Sequence, residues 1–176
     1  MVKLNIGCGN DYKKGYINID ISPAVKTDVL IKSEGEIAER FKGVDEIYCS
    51  KTFPYFKDQH KILIDWWYIL RVGGIIKIIV PHFSSPPYEF VAYRHIGYAT
   101  REFKMFEYNK NWHRIPEEVD YKVKPKIKLY KGLQFWNYLL ELLININTRT
   151  QGIYETTCLH SLFPAQFLEV EMVKNG

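Results

Sequence analysis

Short apolar runs interrupted by turn residues dominate the first half of the chain. Runs of about four to eight residues rich in Ile, Val and Tyr are typical of β-strands. They predict strands at residues 4–6, 16–21, 28–33, 46–50, 75–80 and 166–174. The run at 75–80, Ile-Ile-Lys-Ile-Ile-Val, is apolar on both faces and predicts a strand in the middle of a parallel sheet.

Helical periodicity appears between these runs. Residues 57–71 repeat apolar side chains at i, i+3, i+4 and i+7, namely Leu63, Trp66, Trp67 and Leu70. A shorter helix is predicted at 36–41, where Gly43 closes it. Strands that alternate with helices predict an α/β fold in three layers, and ligands of such sheets bind beyond the carboxyl ends of the strands.

A glycine turn follows the first predicted strand. Gly7 and Gly9 flank Cys8, and this spacing lets a backbone turn through positive φ while a ligand approaches closely. Asp20 ends the second strand, where a carboxylate can accept both hydroxyls of a ribose. By itself Gly-x-Gly is a weak signal, because tight turns without a ligand use the same residues for backbone reasons. Because Tyr12 replaces the third glycine of the dinucleotide fingerprint, a nicotinamide site is disfavoured.

The connections between the first three strands are short. Six residues separate Gly9 from Tyr16, and six separate Ile21 from Asp28. A parallel crossover needs about a dozen residues when it contains a helix. We therefore expect loops to cover one sheet face thinly there, and any apolar surface on that face would need a partner protomer or the C-terminal half as a shield.

Composition narrows the class of protein. The 176 residues fit one domain with net charge +4, which permits an anionic partner without requiring one. Cys8, Cys49 and Cys158 are far apart, which predicts free thiols and a cytoplasmic location. No apolar run is long enough to span a membrane, and no His or Cys spacing indicates a metal site.

Four segments of the first half stand in a specific order. They are Leu-Asn-Ile-Gly-Cys-Gly at 4–9, Gly-Tyr-Ile-Asn-Ile-Asp at 15–20, Asp-Glu-Ile-Tyr at 45–48, and Leu-Arg-Val-Gly-Gly at 70–74 before a strand ending in Val-Pro-His. Together they resemble small class I S-adenosylmethionine-dependent methyltransferases. The likeness covers roughly the first half of the chain. A weaker one covers Tyr154-Glu155 and Leu-Phe-Pro-Ala at 162–165.

The resemblance implies a mostly parallel Rossmann-like sheet with antiparallel C-terminal strands, and S-adenosyl-L-methionine as cofactor. It implies that the glycine turn approaches the methionine part of the cofactor and that Asp20 holds the ribose. The cofactor-binding residues that it implies are Asn5, Gly7, Cys8, Gly9, Asn10, Asp20, Ile21, Ser33 and Ser50. Asn5 replaces a residue that is often acidic in the family, and 51–55 replaces a family His and Glu-His.

Residues 82–120 are expected to form a lid or cap on the substrate side of this single domain. Residues 82–115 are rich in aromatic and basic side chains, which could form a substrate wall for an anionic group or an ordinary cap with an aromatic core. A neutral His82 could accept a proton from the methyl acceptor, so it is the candidate catalytic residue. A histidine that only holds its own loop is the alternative.

The last part of the chain offers two further patterns. Lysines alternate on one face of a strand at 121–129, which fits an edge strand protected from pairing better than a nucleic-acid surface. The helix predicted at 133–143 has a narrow polar stripe. It could be buried, pair with a second copy of the chain or lie on a membrane surface. Its lack of basic residues disfavours the membrane surface. Residues 145–152 are predicted to be a loop.

These observations lead to one reading and two alternatives. The first is a methyltransferase acting on an O or N atom of a small or anionic substrate. The second is an inactive regulator or scaffold with the same fold, favoured by the altered segments at 32–33 and 51–55. The third is a nucleic-acid methyltransferase, based on the lysines of 121–129. A homo-oligomer is compatible with each.

Overall fold

A single mixed sheet organises the chain. The structure, a computed structural model, describes residues 1–85, 97–108, 115–131 and 135–176. The strands are β1 (Lys3–Ile6), β2 (Ile17–Asp20), β3 (Val29–Leu30), β4 (Val44–Ser50), β5 (Leu70–Pro81), β6 (Tyr121–Leu129) and β7 (Ala165–Lys174). The helices are α1 (Glu36–Arg40), α2 (Gln59–Ile69), α3 (Thr100–Tyr108), α4 (Trp136–Ile144), α5 (Thr148–Thr156) and α6 (Leu159–Leu162).

The strand order confirms the predicted architecture. In the described part of the chain the order is β3-β2-β1-β4-β5-β7-β6, with β1 to β5 parallel and β7 antiparallel to both of its neighbours. The strand order reverses between β1 and β4, and their carboxyl ends form the crevice where open α/β sheets bind ligands. This is the Rossmann-like methyltransferase sheet that the sequence predicts.

The predicted helices and strands are largely confirmed. The helix predicted at 57–71 forms as α2, and its apolar stripe contributes Leu63 and Trp66, both under 3% exposed, to the core. It ends at Ile69, so Leu70, which was predicted in the same stripe, begins β5 instead. The strand predicted at 28–33 is shorter, since β3 contains only Val29 and Leu30. The loop prediction for 145–152 is wrong, because α5 begins at Thr148.

A capping box explains why that helix begins where it does. The Asn147 side chain accepts a hydrogen bond from the Thr150 amide at 3.0 Å, and the Thr150 hydroxyl accepts one from the Asn147 amide at 3.1 Å. These reciprocal bonds satisfy amide groups that the start of a helix leaves unpaired. The Asn-x-x-Thr spacing is visible in the sequence and would have predicted the start of α5.

The short connections between the first strands are confirmed. No helix lies between β1 and β2 or between β2 and β3, all of which are described. Asn18, which is fully buried, organises the first connection instead. Its amide group donates to the Lys13 and Tyr16 carbonyls, each at 3.0 Å, and its carbonyl oxygen accepts from the Lys13 amide at 2.8 Å. Side-chain hydrogen bonds thus replace helix packing in this connection.

The thinly covered sheet face is polar. Glu46 on β4 accepts a hydrogen bond from Tyr16 at 2.8 Å and forms ion pairs with Lys3 at 3.1 Å and Lys77 at 2.8 Å. Tyr48 lies two residues further along β4, and its ring contacts that of Tyr16 edge-on. Because these residues carry charges and hydroxyl groups, they leave no apolar surface here that a partner protomer or the C-terminal half would have to shield.

The edge position of β6 is confirmed, and α4 and α5 protect the edge further. The Asn145 side chain accepts from the Ile127 amide and donates to the Ile127 carbonyl, both at 2.8 Å, as a neighbouring strand would. Gln151 donates to the Pro125 carbonyl at 2.7 Å. Side-chain amides therefore occupy backbone groups that would otherwise be open to another strand.

The lysines of β6 are partly neutralised. Lys124 pairs with Glu171 at 3.6 Å, and Lys128 pairs with Glu141 at 3.4 Å and Glu169 at 3.5 Å. Neighbouring carboxylates weaken the attraction of such a row for a phosphate backbone. These pairs support the edge-strand interpretation over the nucleic-acid one.

Helix α4 turns its polar stripe inward. Asn137 and Glu141 are buried, whereas Leu139 is 64% exposed and Leu142 is 70% exposed. Glu141 accepts a hydrogen bond from the Leu129 amide at 3.2 Å, so the polar side chains serve the β6 edge. The leucines consequently face outward. Across the described residues, no helix is both long and apolar enough to cross a membrane.

Candidate functional site

The glycine turn lies between the carboxyl end of β1 and that of β2. Gly7 and Gly9 have φ of +65° and +48°, which favour glycine. The Gly7 amide donates to the Ile19 carbonyl at 2.8 Å and so ties the turn to β2. A side chain at Gly7 would collide with Thr52, whereas an added Cβ at Gly9 would meet nothing within 4 Å. The open side of the turn is therefore at Gly9.

Asp20 lies beside that open position. One carboxylate oxygen accepts from the Gly9 amide and the other from the Ser22 amide, both at 2.8 Å. Each oxygen has a further lone pair, so the carboxylate can still accept two hydroxyl groups. Ile21 follows and is 63% exposed, which leaves an apolar side chain next to the carboxylate. This arrangement fits a nucleoside against the turn.

The other residues of the predicted cofactor site divide into two groups. Asn5 and Cys8 are buried, and Asn5 donates to the Asp11 carbonyl and to Asn18, both at 2.8 Å. Burial raises the pKa of the Cys8 thiol, and the nearby Asp20 carboxylate adds to that increase. These contacts support structural roles for both side chains.

The second group follows or ends the strands β1, β3 and β4. Asn10 and Ser33 are exposed, and Ser50 at the end of β4 is half-buried. Lys51, the next residue, has a φ of +62°, an uncommon value for a residue with a side chain. Such backbone strain tends to occur at functional sites. Contacts of Asn10, Ser33 and Ser50 with a cofactor stay predictions.

His82 occupies the end of β5, as predicted, but its side chain is fully buried. Its Nδ1 lies 2.9 Å from the Ser84 hydroxyl, and its Nε2 lies 3.3 Å from a Glu155 oxygen. Burial lowers the pKa of His82 and outweighs the opposing effect of Glu155. Since both ring nitrogens have partners, the contacts favour a structural role, and the catalytic role stays a prediction.

Glu155 is a residue that sequence reasoning did not assign a role. Its two oxygens accept from the Thr100 amide and the Thr100 hydroxyl, each at 2.8 Å. It thereby joins the start of α3 to His82 and to α5. The only sequence signal was the weak resemblance at Tyr154-Glu155, which gave no function for the carboxylate.

Part of the predicted substrate wall is visible. Tyr98, Phe103 and Phe106 are buried and join the main hydrophobic core. The remaining aromatic and basic side chains of this wall at 86–96 and 109–114 lie outside the described residues. A lid at 82–120 therefore stays a prediction.

Within the described residues, no group of three or more His, Cys, Asp or Glu side chains could hold a metal ion.

Comparison with solved structures identifies the fold. The plantazolicin methyltransferase BamL, in complex with a triazolic desmethylPZN analog and SAH, is 17% identical, with a TM-score of 0.60 over 99% of this chain and 77% of that one. A SAM-dependent methyltransferase from Archaeoglobus fulgidus is 14% identical, with a TM-score of 0.59 over 98% and 85%. No family model and no curated protein matches the sequence.

A third similar structure is a complex. It joins the Haloferax volcanii Trm112 methyltransferase activator to a putative methyltransferase; the match has 16% identity and a TM-score of 0.55 over 99% of this chain and 83% of that one. Identities this low establish the architecture alone. The chain has the class I methyltransferase fold, and the sequence resemblance is confirmed at that level.

Proposed function

We propose that this chain is an S-adenosylmethionine-dependent methyltransferase that modifies an N or O atom. The observation that carries the proposal is the open backbone at Gly9, with the Asp20 carboxylate 2.8 Å from its amide. A nucleoside could contact this backbone closely while its ribose hydroxyls bind the carboxylate. The SAH named in similar structures supports the same cofactor class.

The residues divide the work of binding. Gly9 leaves room for the cofactor, Asp20 binds the ribose, and Ile21 offers an apolar contact. S-adenosylmethionine would supply a methyl group bonded to a sulfonium, for which the leaving group is a neutral thioether, and the acceptor would release a proton on methylation. Because the leaving group is already in place, the protein chiefly needs to align the acceptor.

A binding experiment tests the cofactor site. We expect SAH to bind the wild-type protein in calorimetry and Asp20→Ala to weaken binding at least about tenfold, since hydrogen bonds to a charged group contribute about 1.5–3 kcal/mol each. Asp11→Ala is the matched control, because the Asp11 side chain is exposed and pairs only with Lys13 among the contacts described here. Circular dichroism verifies that both variants fold.

The outcomes separate the proposal from its main alternative. If wild-type protein fails to bind SAH, the proposed cofactor site is wrong. If it binds SAH but transfers no radiolabelled methyl group to any fraction of a cell extract, the regulator or scaffold interpretation is favoured. The altered segment that contains the strained Lys51 is the observation that supports this alternative.

A further inference from the structure

A small aromatic cavity lies between α2 and α3. Its volume is about 230 Å³, enough for a small organic group but below the range of most drug-sized ligand sites. Its lining is predominantly apolar and consists of Phe53, Gln59, His60, Leu63, Tyr98, Glu102, Phe103, Met105 and Phe106. The size and shape suit part of a ligand rather than an entire large molecule.

Two central strands position this cavity at the crevice. Phe53 follows Thr52, whose hydroxyl donates to the Gly7 carbonyl at 3.0 Å. Tyr98 is tied to the end of β5, because its amide donates to the Pro81 carbonyl at 3.0 Å. The cavity wall therefore begins at the residue after Thr52, which contacts the glycine turn, and continues at the carboxyl end of β5.

The cavity walls favour a positively charged group. The rings of Phe53, Tyr98 and Phe103 lie about 6 Å from one another, with centroid distances of 6.1, 5.8 and 5.8 Å. Aromatic faces attract cations, most strongly where water is excluded. Glu102 is the one acidic residue of the described lining, which contains neither Lys nor Arg. An anionic acceptor would find no ion-pair partner in this lining.

A buried hydroxyl group lacks a partner in the same cavity. Tyr98 is 3% exposed, and its hydroxyl makes no hydrogen bond within the described part of the chain. Burial raises the pKa of Tyr98, and the nearby Gln59 side chain acts against that increase through a contact that does not meet hydrogen-bond geometry. An unsatisfied buried hydroxyl costs about 1–3 kcal/mol. A ligand N–H group could donate a hydrogen bond to this hydroxyl oxygen.

We propose that this cavity binds the amine of the methyl acceptor as its ammonium ion, with Glu102 and the Tyr98 hydroxyl as its polar partners. The ammonium ion would give a proton to the Glu102 carboxylate or to water before the nitrogen lone pair attacks the methyl group. The inference rests on the proposed methyltransferase function, and it narrows the acceptor from any N or O atom to an amine. It also replaces the anionic substrate expected from the sequence. The rings of Phe53 and Phe103 then surround the carbon atoms next to the nitrogen.

Amine binding without cofactor tests the inference directly. Saturation-transfer NMR at millimolar concentrations compares n-butylammonium with n-butanol and butyrate, which have similar chains and different charge. We expect n-butylammonium to bind at least about fivefold more tightly than either. Glu102→Gln should reduce its affinity at least about fivefold, and Tyr98→Phe should reduce it about threefold.

The matched control is Glu107→Gln on the same helix. Glu107 pairs with Lys104 and does not line the cavity, so this variant should change the affinity less than twofold. Failure of n-butylammonium to bind, or equal binding by wild-type protein and Glu102→Gln, would overturn the inference. SAH calorimetry on the same samples keeps the two proposals apart: loss of amine binding with intact SAH binding refutes only the acceptor site, and the reverse refutes only the cofactor site.

Discussion

Replacing Asn18 by Ala tests whether one buried amide holds the cofactor turn. The side chain donates to the Lys13 and Tyr16 carbonyls at 3.0 Å and to Asp28 at 2.9 Å. It also accepts from the Asn5 amide group and the Lys13 backbone amide, both at 2.8 Å. Alanine removes all of these hydrogen bonds. Their partner groups then lose this side chain in a connection where no helix can replace it.

The expected loss of stability follows from those bonds. A typical hydrogen bond contributes about 1 kcal/mol, and a buried group left unpaired costs about 1–3 kcal/mol. Because water can reach some of the partners, we expect the free energy of unfolding to fall by about 3 kcal/mol. With a urea slope of about 2 kcal/mol/M, the unfolding midpoint should fall by about 1.5 M.

The assay is urea unfolding followed by tryptophan fluorescence. Asn10→Ala is a matched control on the same loop, since Asn10 is exposed and an exposed substitution usually changes stability by less than about 0.5 kcal/mol. A decrease of less than 1 kcal/mol for Asn18→Ala at unchanged slope would refute the view that this side chain replaces the missing crossover helix.

Two further predictions concern charge and association. Although burial alone would raise it, hydrogen bonds from Lys77 and Tyr16 help lower the pKa of Glu46 to about 2. The stabilising contribution of the Glu46 carboxylate should therefore be present above about pH 4.5 and lost as the pH falls toward 2. In unfolding titrations at different pH values, Glu46→Gln should remove about 1–2 kcal/mol of this pH dependence of the free energy of unfolding. An unchanged pH dependence in the variant would contradict the prediction. The exposed leucines of α4 predict self-association, which sedimentation velocity at increasing protein concentration should detect. Replacing Leu139 and Leu142 together by Ser should abolish it, and wild-type protein that stays monomeric at the highest concentration measured would contradict the prediction.

Sequence reasoning was most successful where a pattern is local. The glycine turn, α2 and the apolar β5 follow from residue types at short spacing, and the short crossovers follow from counting residues between strands. The order of motifs predicted the methyltransferase fold. The start of α5 was missed, although the Asn147 and Thr150 capping box was present, because the segment was interpreted by its polar composition alone.

The polar side chains of the C-terminal half required the structure. A polar stripe on a helix ordinarily faces water, but Asn137 and Glu141 face the β6 edge, where unpaired backbone groups need partners. The sequence does not indicate that Glu141 accepts a hydrogen bond from the backbone of β6. Burial of His82 and its contact with Glu155 likewise depend on segments 73 residues apart.

The sequence by itself determined the strands, the main helix, the position of the glycine turn and the acidic end of β2, because each depends on neighbouring residues. Only the tertiary structure decided that Gly9 is open while Gly7 packs against Thr52, and that Phe53, Tyr98 and Glu102 line one cavity. Those relations join residues from separate strands and helices, and contacts between distant segments are set by how the whole sheet packs.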